Sequence, residues 1–188
     1  MFFPRKFSAS LVALAPLLAA SLLAVAPRAL AEPRYNSRMT TLLQDIPSAA
    51  VAASHALMQS RYAADFEATS LWQVERFFED NSSNGKPRGD LARDTGKRLF
   101  AIGCYVGEVV RRTRGGEWQA DDNDPQGEIN ISLQLPDGSV IWPVQRVMKR
   151  VTGGSSESIA AYGLALGIGV GPEPQKPGFL DRVRRHFE

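Results

Sequence analysis

The chain has 188 residues, of which 44% are hydrophobic, 22% charged and 9% aromatic, as is typical of a globular protein. This composition excludes a wholly disordered chain, a collagen-like chain and a small disulfide-stapled scaffold. The length fits one domain with additional residues for tails. The formal net charge is +2, from 22 basic and 20 acidic residues, so the charge balance offers no strong attraction for nucleic acid.

Residues 1–31 have the pattern of a secretory signal peptide. Arg5 and Lys6 form a positive n-region, residues 11–25 are almost entirely apolar, and small residues precede a predicted cleavage site after Ala31. An N-terminal membrane anchor is the alternative, but a run of about fifteen apolar residues is shorter than the roughly twenty that span a bilayer. We therefore expect a periplasmic or secreted protein, produced by cleavage near Ala31.

Cleavage would change the charge of the chain. The removed segment holds three bases and no acid, so the 22 basic residues become 19 against 20 acidic residues, a net charge of −1. We therefore expect no nucleic-acid partner. Cys104 is the only cysteine, so no intramolecular disulfide can form even in an oxidising compartment. The hydrophobic core alone must stabilise the fold.

Helices are predicted in the first half of the mature chain. The Pro-Ser pair at residues 47–48 is typical of a helix start and follows a polar segment, which predicts a first helix over residues 49–62 capped by Ser48. Ser70, with Gln three residues later, predicts a capping box and a second helix over residues 71–80. Residues 81–90 are rich in turn-forming types and predict an exposed loop.

The main helix is predicted from Asp90 or Asp94 to about Thr113. Its core face is the arc formed by five apolar side chains: Leu99, Ile102, Val106, Val109 and Val110. Three glycines share an adjacent stripe of the same helix: Gly96, Gly103 and Gly107. Because glycine is unfavourable inside a helix, this stripe predicts the close approach of another backbone.

Three strands are predicted after the main helix, over residues 117–120, 128–135 and 139–142. The second strand alternates apolar and polar residues, which is typical of a strand with one solvated face. Residues 136–138 (Pro-Asp-Gly) predict a tight turn. We therefore predict an α+β fold in which a small antiparallel three-stranded meander packs on a long central helix, with further flanking helices.

The remaining chain predicts two helices and a tail. Pro143 suits the first turn of a helix with one apolar face, and a last helix is predicted to start at Ser155 or Ser156 and to run to about Leu166. Residues 168–188 are predicted to form a Gly/Pro-rich linker and a basic amphipathic tail with possible weak contact to an anionic membrane. We accordingly assign residues 32–167 to a single α+β domain, with its core over about 70–163.

The densest group of functional residue types is Glu108 with Arg111 and Arg112. Their spacing permits ion pairs on the helix surface, where a solvated charged face is the simple interpretation. The alternative is a partly buried Glu108 that holds an arginine toward a ligand or partner. Trp118 and Trp142 would then flank the site, because tryptophan and arginine are favoured in protein interfaces.

The sequence around Glu108 also resembles a bacterial domain family of unknown function. The pattern GxYxGExxRRxxGGxW is followed by a strand and a VxKR helix, and the resemblance covers residues 71–163. It is carried by Gly103, Tyr105, Gly107, Glu108, Arg111, Arg112, Gly115, Gly116, Trp118, Val147, Lys149 and Arg150. The resemblance implies a domain boundary and no particular activity.

The sequence offers few residues for catalysis or metal binding. Cys104 lacks a nearby histidine in the sequence, so a packing role is favoured over a nucleophile. Two histidines and one cysteine do not make a zinc site. The acidic stretch from Asp121 to Glu128 is an exposed loop or, alternatively, a calcium site, although its spacing is not that of an EF-hand. We assign no catalytic residue, no metal ligand and no cofactor.

Two functions remain. The first is a non-catalytic envelope protein that binds another macromolecule, most simply a protein, as an adaptor, inhibitor or immunity-type protein. The second is a small periplasmic hydrolase that uses Glu108 with Arg111 or Arg112, and with Cys104 as a further candidate. The candidate binding residues are Glu108, Arg111, Arg112, Trp118, Trp142, Arg146, Lys149 and Arg150.

Overall fold

A computed structural model describes residues 41–175 of the chain. These residues mix α-helix with antiparallel sheet, in agreement with an α+β fold. The α-helices are α1 (Leu42–Gln59), α2 (Leu71–Asn81), α3 (Thr95–Arg114), α4 (Gly127–Asn130), α5 (Pro143–Gly153) and α6 (Ile159–Ala165). The strands are β1 (Ser82–Ser83), β2 (Lys86–Pro87), β3 (Glu117–Gln119), β4 (Ser132–Gln134) and β5 (Val140–Ile141). The predicted signal peptide and the basic tail over residues 179–188 lie outside the described residues.

Helix α1 begins earlier than predicted. Thr41 is its N-cap: the Thr41 hydroxyl accepts a hydrogen bond from the Gln44 N–H, and the Gln44 side chain accepts one from the Thr41 N–H. Pro47 and Ser48 lie inside the helix, so the prediction of a cap at Ser48 is wrong. This reciprocal capping box satisfies donors at the helix start, whereas Pro47 removes only one helical hydrogen bond.

Helix α2 confirms the prediction closely, but its cap and the residues that follow differ. The Ser70 hydroxyl makes no capping hydrogen bond to the start of α2. Residues 81–90 were predicted to be a loop, yet they contain the antiparallel pair β1–β2. The turn between these strands has positive φ at both Asn84 (52°) and Gly85 (72°), as a tight hairpin requires.

Helix α3 confirms the predicted core face, since all five of its apolar residues are buried. Burial extends further, because each residue from Ile102 to Val110 is buried and the middle of the helix is therefore covered on all sides. Helices α1 and α5 both pack against it. The longest described helix is thus less amphipathic in its middle than its sequence indicated.

Of the three glycines on α3, Gly103 allows the predicted close approach of another backbone, whereas Gly107 is approached by a side chain. A Cβ atom at Gly103 would lie 2.6 Å from the Val144 Cα, and a Cβ atom at Gly107 would overlap the Trp118 indole. Both distances are far inside van der Waals contact, so only glycine fits at these positions. Gly96 faces open space, and the prediction is wrong for that residue.

The meander is confirmed, in the antiparallel order β3-β4-β5. Leu133 of β4 pairs with Trp118 on one side and with Ile141 on the other. The predicted second strand is too long, however, because residues 127–130 form the short helix α4. Gly127 explains part of this difference: a side chain there would collide with the Asp121 carbonyl oxygen, so the chain can turn tightly at this point.

Helix α5 begins at Pro143 as predicted. The prediction that the last helix starts at Ser155 or Ser156 is wrong: residues Gly154–Glu157 form a separate 3-10 turn, and α6 is capped by the Ser158 hydroxyl, which accepts a hydrogen bond from the Ala161 N–H. After α6 the chain remains packed, since Ile168 and Val170 belong to the hydrophobic core although their composition indicated a linker. None of the helices within residues 41–175 combines the length and the apolar character needed to cross a membrane.

Candidate functional site

Glu108 is the centre of the first site and lies in the buried middle of α3. Only 5% of the residue is exposed. The Trp118 indole reaches it because Gly107 presents no side chain between α3 and strand β3. Of the two alternatives that the sequence left open, the buried position of Glu108 agrees with a carboxylate that holds arginines and not with a solvated charged face.

Two oxygens of the Glu108 carboxylate accept three hydrogen bonds. Oε1 accepts from Arg111 Nε at 2.7 Å and from Trp118 Nε1 at 2.8 Å, and Oε2 accepts from Arg111 Nη2 at 3.0 Å. Arg112 Nε lies 3.6 Å from Oε2 and completes the ion-pair network. The paired contact with Arg111 fixes the plane of its guanidinium, as in bidentate arginine–carboxylate pairs generally.

The two arginines face solvent on their other side. The side chain of Arg111 is 41% exposed and that of Arg112 is 48% exposed. The Arg112 guanidinium also stacks over the Phe66 ring, 3.7 Å from its centroid, which further limits its orientation. One buried negative charge thus holds two half-exposed positive charges, and the cluster carries a net positive charge.

The environment of Glu108 keeps it ionised. Burial pushes the pKa of Glu108 upward, but hydrogen bonds from Arg111 and Trp118, with the charges of Arg111 and Arg112, outweigh burial and lower it below its ordinary value. The hydrogen bond with Glu108 raises the pKa of Arg111. Glu108 is therefore suited to positioning the arginines and poorly suited to accepting a proton near neutral pH.

Trp118 and Trp142 have different positions. Trp118 is half-buried and bonded to Glu108, whereas Trp142 is 45% exposed. No hydrogen bond, ion pair or ring contact joins Trp142 to Glu108 or its arginines within residues 41–175. Trp142 directly precedes Pro143, whose ring lies close to Gly107, so the backbone of Trp142 lies near the part of α3 that Trp118 contacts.

The three candidate binding residues of α5, Arg146, Lys149 and Arg150, do not form one surface. Lys149 is exposed, and Arg146 pairs with Glu157 at 2.5 Å while stacking over the Tyr162 ring. Arg150 is only 2% exposed. The prediction of Arg150 as a surface binding residue is thus wrong, because this residue lies at the edge of the apolar arc of α5, where neighbouring helices cover it.

The partner of Arg150 is Glu75, which the sequence analysis missed. Glu75 Oε1 accepts a hydrogen bond from Arg150 Nε at 2.8 Å and lies 2.7 Å from Arg150 Nη2, and Oε2 accepts from the Ile159 N–H at 2.7 Å. The signal was present, because Glu75 follows Leu71 by four residues and so falls within the apolar face of α2. This pair connects three helices and is structural, since its atoms do not reach solvent.

A second polar cluster that was missed joins α3 to the start of α2. The Tyr105 hydroxyl accepts from the Phe66 N–H at 3.1 Å and lies 2.6 Å from the Ser70 hydroxyl. Because Ser70 donates to the Glu67 carbonyl, Tyr105 is the donor to Ser70. Burial raises the pKa of Tyr105, so this phenol stays protonated and its role is to orient the segment before α2.

Cys104 is buried one turn before Glu108 on α3, among Ile46, Ala50, Ile131 and Val144. Burial, with a smaller contribution from the Glu108 charge, raises the pKa of the Cys104 thiol to about 12. The nucleophile of a cysteine enzyme is the thiolate. Cys104 therefore has the properties of a packing residue.

The acidic loop uses its carboxylates within the chain. Asp121 accepts from the Asn123 N–H, Asp124 from the Gln126 N–H, and Asp122 from the Leu42 N–H at 2.7 Å. The last bond places a carboxylate at the N-terminus of α1, where negative charge is favourable. In the part of the chain that the structure describes, no cluster of three His, Cys, Asp or Glu residues is arranged to hold a metal ion.

Comparison with known proteins gave no similar protein: no family model matches the sequence, and neither a curated protein nor a solved structure does. The resemblance to a bacterial domain family therefore stays a prediction from the motif.

Proposed function

We propose that the protein is exported, has no catalytic role, and acts by binding another macromolecule in the bacterial envelope as an adaptor, inhibitor or immunity-type protein. The observation that carries this proposal is the pair Arg111 and Arg112, held by the buried carboxylate of Glu108 and half exposed to solvent. We infer that the partner is a protein with an acidic surface group at the contact.

The arrangement suits recognition of a carboxylate. Arginine presents a planar set of donors that matches carboxylate geometry, and Glu108 and Phe66 already restrict the two side chains. Because less conformational freedom is then lost on association, the cost of binding is lower than for free surface arginines. The exposed Trp142 supplies apolar area near the same region.

This proposal takes α3 as the long central helix on which the meander packs. Two observations support that interpretation: the close fit of Trp118 against Gly107, and the burial of the middle of α3.

A hydrolase that uses Glu108 and Cys104 is less well supported. Both Glu108 oxygens are occupied, and burial of the Cys104 thiol with its raised pKa opposes thiolate formation.

Export is tested by the mass of the mature protein. Expression of the full chain in a bacterial host should give a periplasmic or secreted form that begins at Glu32, one residue after the predicted cleavage site. Intact-mass spectrometry of the fractions measures this directly. A membrane-bound form that keeps Met1 would overturn the export model and favour the membrane anchor.

Binding is tested with a matched pair of variants. Crosslinking in intact cells, followed by mass spectrometry, should identify a partner that is retained by Arg88→Gln/Arg93→Gln and lost by Arg111→Gln/Arg112→Gln. Arg88 and Arg93 are exposed arginines outside the cluster, so their double variant controls for the loss of two positive charges. Capture of the partner by Arg111→Gln/Arg112→Gln as well as by the wild type would contradict the proposed surface.

A further inference from the structure

A groove lies between α1 and α3, apart from the Glu108 cluster. It is half open to solvent and encloses about 250 Å³. Its floor is apolar: Ala53 and Leu57 of α1, Phe77 of α2 and Ile102 of α3 are all buried and line it. Small residues on both walls, such as Ala56 and Ala101, keep it unfilled.

The rim of this groove is basic. Lys97 and Arg98 line its edge at the start of α3, with Asp94 as the acidic residue among them. The Arg98 Nε donates to the Arg93 carbonyl at 2.9 Å, which fixes this side chain without neutralising it. Lys97 is exposed and has no partner within residues 41–175. The groove thus combines an apolar floor with a net positive edge.

We propose that this groove binds a small amphiphile with a single anionic head group and a short apolar chain. The apolar floor takes the chain, and Lys97 with Arg98 takes the charge. The volume sets the size of the ligand: pockets for drug-sized molecules enclose roughly 300–1,000 Å³, so this ligand is smaller. If each methylene fills about as much space as a water molecule, roughly 30 Å³, the groove holds about eight carbon atoms.

Octanoate is the probe that fits this description, and octanol is its uncharged counterpart. In titrations of the purified, naturally processed protein followed by NMR or calorimetry, octanoate should saturate one site. It should bind about two- to fivefold tighter than octanol, the preference expected of a partly exposed ion pair. This inference concerns a surface separate from Arg111 and Arg112, so its outcome does not depend on the proposed macromolecular partner.

Two variants, each with a matched control, locate the site. Ala56→Leu fills the groove and should weaken octanoate binding at least about tenfold, since each lost methylene contact removes about 0.8 kcal/mol, whereas Ala161→Leu on the exposed side of α6 should leave it unchanged. Lys97→Gln should reduce the preference for octanoate over octanol, because only Arg98 then remains to attract the anion, and Lys149→Gln should leave the preference unchanged.

The proposal is overturned by any of three results: octanoate does not bind, Ala56→Leu binds it as tightly as the wild type, or Lys97→Gln keeps the full preference for the anion. Because Lys97 is exposed and its substitution does not disturb packing, the third result can be obtained even if Ala56→Leu fails to fold.

Discussion

Glu75 and Arg150 form an ion pair inside the protein, where charges are normally unfavourable. The pair is tolerated because each Glu75 oxygen has a donor: Arg150 for one and the Ile159 N–H for the other. Arg150 also lies near the Phe78 ring, 5.9 Å from its centroid. The two residues therefore specify how α2, α5 and α6 fit together, and each depends on the other.

Removal of Arg150 alone should be severely destabilising. Arg150→Met leaves Glu75 buried without its partner, and we expect a loss of about 3–5 kcal/mol in the free energy of unfolding, measured by urea denaturation. Lys149→Met, one residue away and exposed, should change stability by less than about 0.5 kcal/mol. A cost for Arg150→Met as small as that of the control would show that the pair is not closed in solution.

Glu108 should make stability depend on pH. Its pKa is lowered by folding, so the ionised carboxylate stabilises the protein above the pKa of the unfolded chain, and this contribution is lost as pH falls through the folded pKa. At pH 7, Glu108→Gln should cost about 1–3 kcal/mol, because charge-assisted hydrogen bonds are lost while both arginines remain partly screened by water.

The quantity to follow is the gap between the free energies of unfolding of the wild type and of Glu108→Gln. Thermal or urea unfolding between pH 7 and pH 3 should show a constant gap above about pH 4.5, the ordinary value for a glutamate, and a shrinking gap below it. A gap that widened on acidification would mean that the carboxylate is held protonated in the folded protein.

At the scale of elements, substitutions of two glycines in α3 separate the effect of a side-chain contact from the effect of helix propensity. Gly107→Ala should destabilise the protein by about 1–3 kcal/mol, since the added methyl group must displace the Trp118 indole. Gly96→Ala adds the same group to the same helix in open space and should stabilise it by up to about 1 kcal/mol. Opposite signs in calorimetric Tm shifts are expected, and equal signs would contradict the described packing of α3 on Trp118.

The elements that the sequence predicted best are those with a local signal. Helices α2, α3 and α5 each carry apolar residues at helical spacing, and Pro143 marks a helix start by its own geometry. The meander followed from alternation and from the turn at residues 136–138. In each case a few neighbouring residues contain the information, so no knowledge of distant contacts is needed.

The features that escaped prediction depend on distant residues or on competition between local signals. Glu75 and Arg150 are 75 positions apart, so their pairing could not be read from either helix. At α1, the capping box at Thr41 prevailed over the start signal at Pro47. The Asn84-Gly85 turn was present in the sequence, yet the strands on each side are only two residues long and carry no alternation of their own.

At the scale of the whole molecule, Cys104 reports whether the core is intact. Its neighbours come from α1, α5 and the segment before β4, so exposure of the thiol requires these parts to separate. We expect no measurable reaction of the native protein with a thiol reagent at pH 8, because the thiol is buried and its pKa is about 12. Added urea should raise the labelling rate in parallel with loss of helical circular dichroism. Rapid labelling without denaturant would contradict the packing of α3 against α1.

Because the only cysteine is inaccessible, the protein is suited to site-specific labelling at an introduced thiol. A cysteine introduced at an exposed position would be the single thiol available to a fluorophore or spin label, with no need to replace the native residue and disturb its surroundings. Distances between helix ends, or between this protein and whatever binds it, are therefore open to spectroscopic measurement on a chain that otherwise keeps its natural sequence.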